Sequence, residues 1–240
     1  MLSTETTVGQ LVTERPSRAK VFEVLGIDYC CSGNRPLGEV CVEKGLDATT
    51  VLRMLDAHES GAGAEDDRTD WSEATITGLT DHIVEVHHGY LNEALPRLEA
   101  LVNKVAVVHG GNHPELRELR RVYGLLKPDL EAHLQKEEEV LFPMCRELEG
   151  AEVRPDFHCS TVDNPIGVMV QEHEEAGKAL ATMRELTSGF EPPEGACNTY
   201  RTMLDGLAEL ERDVHLHVHK ENNILFPKAS AAEAALPARP

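Results

Sequence analysis

One eleven-residue segment occurs twice in this chain, as HLQKEEEVLFP (His133 to Pro143) and HVHKENNILFP (His217 to Pro227). The copies share His, Lys, Glu, Leu, Phe and Pro at an offset of 84 residues. Each copy ends a long amphipathic stretch of helical period, so the simple arrangement is two similar helix pairs about a pseudo-two-fold axis. A site built from both copies would be nearly symmetric.

Helical periodicity runs near residues 73–108, 115–148, 162–188 and 194–228, and the breaks HGGNHP, GAEVRPDFHCSTVDNP and SGFEPPEG are rich in Gly and Pro. No period-2 strand pattern appears. Four long helices with short connections imply an all-α chain built on an up-down-up-down four-helix bundle. Pro96 and Pro128 fall inside two of these helices, where each removes a backbone hydrogen bond and predicts a kink. Ahead of the bundle, shorter pieces at Val8–Thr13, Ser17–Leu25, Leu37–Lys44 and Thr49–His58 predict a small helical domain. Pro16 and Pro36 suit first-turn positions, and Asp47 suits an N-cap. The small, acidic stretch Ser60 to Asp70 reads as a linker. The expected division is 1–59 for the small domain, 60–70 for the linker, 71–230 for the bundle and 231–240 for a tail.

Composition narrows the function. Of 240 residues 41% are hydrophobic, enough for a core, and the net charge is −19. So acidic a chain lacks the basic stripe that meets phosphates, which argues against nucleic acid. No run of about 18 apolar residues exists to span a membrane. The polar N-terminus has no apolar stretch to act as a signal peptide, so a cytoplasmic protein is expected. Six cysteines in such a chain are not a disulfide framework.

The twelve histidines carry more. Positions i and i+4 of an α-helix lie about 40° apart, so His133 with Glu137, and His217 with Glu221, each present an imidazole and a carboxylate on one face. Leu210, Val214, Ile224 and Leu225 share the face of His217 within about 80°, and Val122, Leu126, Leu130 and Val140 share that of His133. Both pairs therefore point inward. A buried carboxylate needs a counter-charge, and a cation is the natural partner. On the third helix His173 aligns with Ile166, Met169, Ala176 and Leu180. On the first, His88 aligns with Val84, Leu91 and Leu95, while His87 is turned about 100° away. His215 and His219 sit about 160° from His217 and read as solvated.

The ligand set is thus His88, His133, Glu137, His173, His217 and Glu221. It is too large for one tetrahedral zinc. It suits two metal ions, each with two His and both bridged by the carboxylates; imidazole plus carboxylate favours iron or manganese. Coordination positions are left over for a bridging oxo group and a small ligand.

The segments DHIVEVHH, HLQKEEEVLFPM, QEHEEAGK and HVHKENNILFP resemble a hemerythrin-type bundle. With FEVLGIDYCCSGNRPLGEVC ahead of them, the chain from about Thr7 to Lys228 is similar to the iron-sulfur cluster repair di-iron proteins. That resemblance implies that the six residues above bind two iron ions, with Glu137 and Glu221 as bridges. Oxygen-carrying hemerythrins have a further His and an Asp where this chain has Gly177 and Asn222, which weakens reversible oxygen carriage. The resemblance implies repair of clusters damaged by nitrosative or oxidative stress, by iron donation or by reduction of nitric oxide. A sensor or binding module for O2 or NO is the alternative. Expected partners are NO or O2 and damaged iron-sulfur proteins; a homodimer is compatible with the sequence.

Cys30 and Cys31 are adjacent and followed by a Ser-Gly-Asn turn. Neighbouring cysteines rarely bridge each other without strain, so they are candidate thiols for a metal or a mixed disulfide, with Cys41 as resolving partner. The alternative is that they simply pack a small domain.

Overall fold

The computed structural model describes residues 2–58 and 70–238. The expected linker, 60–70, lies outside the described residues except for Asp70. Regular structure among the described residues is helical, and only an isolated antiparallel bridge between Thr7 and Pro36 departs from it.

The N-terminal helices are α1 (Val8–Glu14), α2 (Ala19–Val24), α3 (Leu37–Lys44) and α4 (Ala48–His58). Local chemistry sets their ends. The Thr7 hydroxyl accepts the Gln10 amide at 3.2 Å as the cap of α1, and Asp47 accepts the Thr50 amide at 2.8 Å to start α4. Gly45 ends α3 in the left-handed region, at φ 67°. Pro16 opens a short 3-10 turn and Pro36 caps α3, so both prolines sit where their missing N–H costs nothing. Val8, Leu11, Val12, Phe22, Leu37 and Leu55 are wholly buried.

The same compact unit holds the chain before α5 (Ile76–His82), much of α8 (Phe142–Glu149), and α11 (Phe226–Ala235). The Thr75 hydroxyl caps helix α5 by accepting the Gly78 amide at 3.0 Å. Glu149 adds to this by accepting the Ile76 and Thr77 amides at 2.8 and 3.1 Å, placing a carboxylate where the helix dipole favours one. The Thr77 hydroxyl, together with those two amides, holds the Glu149 carboxyl below its ordinary range. Glu149→Ala is expected to cost about 1 kcal/mol, as lost caps do. The contribution is present above the ordinary carboxyl pKa of 4.5 and fades as pH falls through the lowered folded value. Urea unfolding of wild type and variant at pH 7 and pH 3.5 checks this, since the gap between them should narrow at the lower pH.

Residues 231–235, expected to trail as a tail, continue α11. They are held because the buried Glu233 carboxylate accepts the Val162 amide at 3.2 Å and the Thr161 hydroxyl.

The second compact unit contains α6 (Gly89–His109), α7 (Glu115–Lys136), α9 (Asp163–Leu186) and most of α10 (Asn198–Lys220). Helices α6 and α7 form an antiparallel hairpin, and α9 packs along α7. The core between them is aliphatic, with Leu91, Leu95 and Leu98 from α6, Leu116, Leu119 and Leu126 from α7, and Leu180 and Met183 from α9. The helices run through Pro96 and Pro128 as α-helix.

The interruptions fall elsewhere. Among the described residues, π-helical segments at Ile83–His88, Glu137–Leu141 and Glu221–Leu225 join α5 to α6, α7 to α8 and α10 to α11. An i→i+5 turn adds one residue to an α-helix and rotates the residues beyond it by about 100°. Val140 shows the effect. The helical wheel places it inside, yet it is 37% exposed, whereas Leu141 is 1% exposed. The extra residue after Glu137 turns Val140 outward and Leu141 in.

Candidate metal centre

Every residue of the expected ligand set lies at or near a π segment or on α9. His88 closes the first π segment, His133 lies in the last turn of α7, and Glu137 opens the second. His173 is midway along α9, among Ile166, Met169, Ala176 and Leu180, as the spacing predicts. His217 lies in the last turn of α10, and Glu221 opens the third π segment. All six are buried, and Glu137 and Glu221 have no exposed surface at 0% each.

The two oxygens of Glu137 face different histidines. His88 Nε2 stands 3.4 Å from one carboxylate oxygen, and His133 Nε2 stands 3.4 Å from the other. His173 Nε2 lies 3.1 Å from His133 Nε2. Two imidazole nitrogens bound about 2.1 Å from one cation, at right angles, stand about 3.0 Å apart, so this spacing suits a shared metal. In the second copy of the repeat, His217 Nε2 lies 3.0 Å from Glu221. The donors fall into two groups, His88, Glu137, His217 and Glu221 in one and His133, Glu137, His173 and Glu221 in the other. Within each group the ligand atoms lie inside 4.8 Å of one another. Both groups share the two glutamates. The donor set of imidazoles and carboxylates thus fits a di-iron site.

Sequence reasoning missed the residues that orient these ligands. His88 Nδ1–H donates to Glu138 at 2.8 Å, and His133 Nδ1–H donates to Glu172 at 2.9 Å. Each bond fixes the tautomer and leaves the Nε2 lone pair facing the donor group, which is how carboxylates tune metal-binding histidines. Burial pushes the Glu172 carboxyl up, but its bonds from Lys136 and His133 outweigh that and hold it below its ordinary value. Their one mark in the sequence is adjacency to an expected ligand, which does not reveal the ring each meets. Glu138 follows Glu137, Glu172 precedes His173, and each carboxylate points one residue around its helix from a ligand.

His87 lies outside the donor groups; it is buried at 2% and its Nδ1 bonds Asp213 at 2.9 Å. Two other histidines depart from expectation. His219, placed in solvent by its spacing, is 3% exposed. Its Nδ1–H donates to the Tyr29 carbonyl at 3.4 Å, and its Nε2 meets the Thr13 hydroxyl at 3.2 Å. The helical wheel gauges a face against its own bundle and cannot see that the N-terminal helices cover this one. Burial drives the His219 pKa down to about 4, so the ring is neutral at pH 7. His215 is half-buried, edge-on to Tyr29 with ring centres 6.2 Å apart. Its position outside the donor groups predicts that His215→Ala leaves iron content unchanged by elemental analysis; loss of iron would put the ligand face wrong.

Cys30 and Cys31 are not joined in a disulfide, their sulfurs lie 3.7 Å apart, and Cys41 is also outside any disulfide. No helix among the described residues is long and apolar enough to cross a membrane.

Comparison with known proteins agrees with this architecture. Residues 79–229 match the hemerythrin HHE cation binding domain, and residues 4–59 match a domain of unknown function, DUF542. The iron-sulfur cluster repair protein YtfE of Pectobacterium atrosepticum is 34% identical over 230 residues, covering 94% of this chain and 97% of that protein. The protein of the same name from Escherichia coli O17:K52:H18 is 32% identical over 226 residues, covering 94% of this chain and 97% of that protein. The fold is accordingly a hemerythrin-like all-α bundle preceded by a small helical domain, and its buried His and Glu clusters support iron binding. The chain belongs to the hemerythrin HHE cation-binding family, among the members that carry a DUF542 domain ahead of the bundle and include the iron-sulfur cluster repair proteins.

Proposed function

We propose that this protein repairs iron-sulfur clusters damaged by nitrosative or oxidative stress, using a di-iron centre held by His88, His133, Glu137, His173, His217 and Glu221. Glu137 and Glu221 are the bridges. The observation that carries the reading is Glu137, whose two oxygens each face a different imidazole at 3.4 Å. Relatives named for cluster repair, matched over nearly their whole length, support the client class.

Iron bound here supplies redox chemistry toward a small ligand such as NO, or iron for a depleted cluster. This chain's residues do the rest. Glu138 and Glu172 hold His88 and His133 in their metal-binding tautomers, and the aliphatic residues of α6 and α9 exclude bulk water. Six protein ligands leave each of two irons below six-coordinate, which provides a place for a small ligand. Cys30 and Cys31 serve as thiols beside this chemistry.

The test mixes the iron-loaded, reduced protein anaerobically with an NO-damaged cluster dehydratase and follows the return of dehydratase activity. Recovery is expected with the full chain, together with NO consumption or loss of iron to the client. Stoichiometric NO binding with no turnover, no iron transfer and no recovery would replace repair with a sensing role.

A further inference from the structure

Asp28, Cys30 and Cys31 form a donor group of their own, with ligand atoms inside 4.8 Å of one another. The Cys30 sulfur stands 3.7 Å from the Cys31 sulfur and 3.3 Å from an Asp28 carboxylate oxygen. A tetrahedral cation with bonds of about 2.3 Å to sulfur and about 2.1 Å to oxygen separates two sulfurs by about 3.8 Å, and a sulfur from an oxygen by about 3.6 Å. Both observed edges approach those of a tetrahedron before any cation arrives.

The turn that carries the donors is held from two sides. Asp28 accepts the Cys30 and Cys31 amides at 3.1 and 2.9 Å, which fixes the path of the chain around the carboxylate. Tyr29 between them is buried, and its hydroxyl donates to Glu23 at 3.1 Å. Behind the turn, the Asn223 side-chain amide donates to the Tyr29 and Cys30 carbonyls at 3.4 and 3.0 Å, and Asn222 donates to the Cys30 carbonyl at 3.3 Å. Exposure is graded across the group. Cys30 is buried, Cys31 is half-buried and Asp28 is exposed, so a cation can enter from the carboxylate side.

We propose that Asp28, Cys30 and Cys31 bind one borderline-soft divalent cation, of the zinc or ferrous class, through two thiolates and a carboxylate. Thiolate donors select that class over magnesium or calcium. Three protein ligands leave the fourth tetrahedral position open to water or to an incoming donor, the pattern of reactive rather than structural sites. Binding displaces both thiol protons to solvent, so affinity rises with pH. The site stands independently of the di-iron reading, because it shares no residue with the six ligands.

Cobalt(II) is the probe, added anaerobically to the reduced, iron-loaded full-length protein. One equivalent should produce a thiolate-to-cobalt charge-transfer band, a signature that a centre of His and Glu cannot give. Cys31→Ser and Cys30→Ser should each abolish the band. Asp28→Asn keeps an oxygen for both amides but exchanges a charged ligand for a neutral one, and should weaken cobalt binding by about tenfold or more. Cys197→Ser removes an exposed thiol outside the group and should leave the band intact. Iron content, measured on every variant, reports separately on the His and Glu centre and on folding. Absence of the band in a protein that keeps its iron overturns the proposal, and so does a band that survives both cysteine replacements.

Discussion

Glu137→Ala is expected to empty the centre of both irons. Each Glu137 oxygen faces a different histidine, so one substitution opens the shell of both metals. A residue wholly buried at 0% exposure also leaves no room for a distant carboxylate to substitute for it. Elemental analysis of the purified variant should find iron near background, and Glu221→Ala should behave alike. The metal-free proteins supply the control. A buried carboxylate without a cation destabilises its surroundings, so apo Glu137→Ala should melt no lower than apo wild type, and its helical circular dichroism should be unchanged. A variant that retained two irons per chain would remove Glu137 from its bridging role.

Gly33→Ala should cost about 3 kcal/mol, at the upper end for forcing atoms into a packed site. A Cβ at Gly33 would lie 2.1 Å from the Asn223 side-chain oxygen and 2.7 Å from the Tyr29 carbonyl. Gly9→Ala meets the same asparagine oxygen at 2.5 Å, so both glycines exist to let Asn223 close on the double-cysteine turn. Replacing Asn223 by Ala in the Gly33→Ala background should recover part of the loss, since the nearer clash is then gone; the backbone carbonyl still obstructs. Gly124 is the contrast, being a helix-interior glycine with open space around it. Gly124→Ala should stabilise by about 0.5–1 kcal/mol through lower entropy of the unfolded chain. Equal effects at Gly33 and Gly124, measured by urea unfolding, would mean that close approach to Asn223 carries no energy.

Much of the centre is legible from residue spacing. The duplicated His-x-x-x-Glu pattern picks out four of the clustered donor side chains, and the apolar neighbours of His88 and His173 put two more on buried faces. Helix ends follow from Thr7, Asp47 and Gly45, whose local chemistry needs no distant partner. The features that escape depend on geometry that spacing does not encode. A π turn changes no residue type, so nothing at Glu137 to Leu141 warns that Val140 faces solvent. Glu138 and Glu172 look like ordinary surface acids because their role is set by a ring nitrogen on another residue. His219 looks exposed because its cover comes from Thr13 and Tyr29, about 200 residues earlier in the chain.

The π turns also separate two duties along one rod. Residues before the turn obey one helical phase and those after it another, so a ligand such as Glu137 and an anchor such as Phe142 need not compete for the same angular sector. Winding the same residues as a plain α-helix would swing Leu141 and Phe142 by about 100° away from the core they fill, whereas deleting a single residue there, Glu139 for instance, would let a plain α-helix keep both in their present sector. Both copies of the repeat carry the extra residue at the same place, opening at Glu137 in one and Glu221 in the other. The amino acids of these segments differ between the copies, EEEVL against ENNIL, while the length of the wide turn and its place after the glutamate are the same.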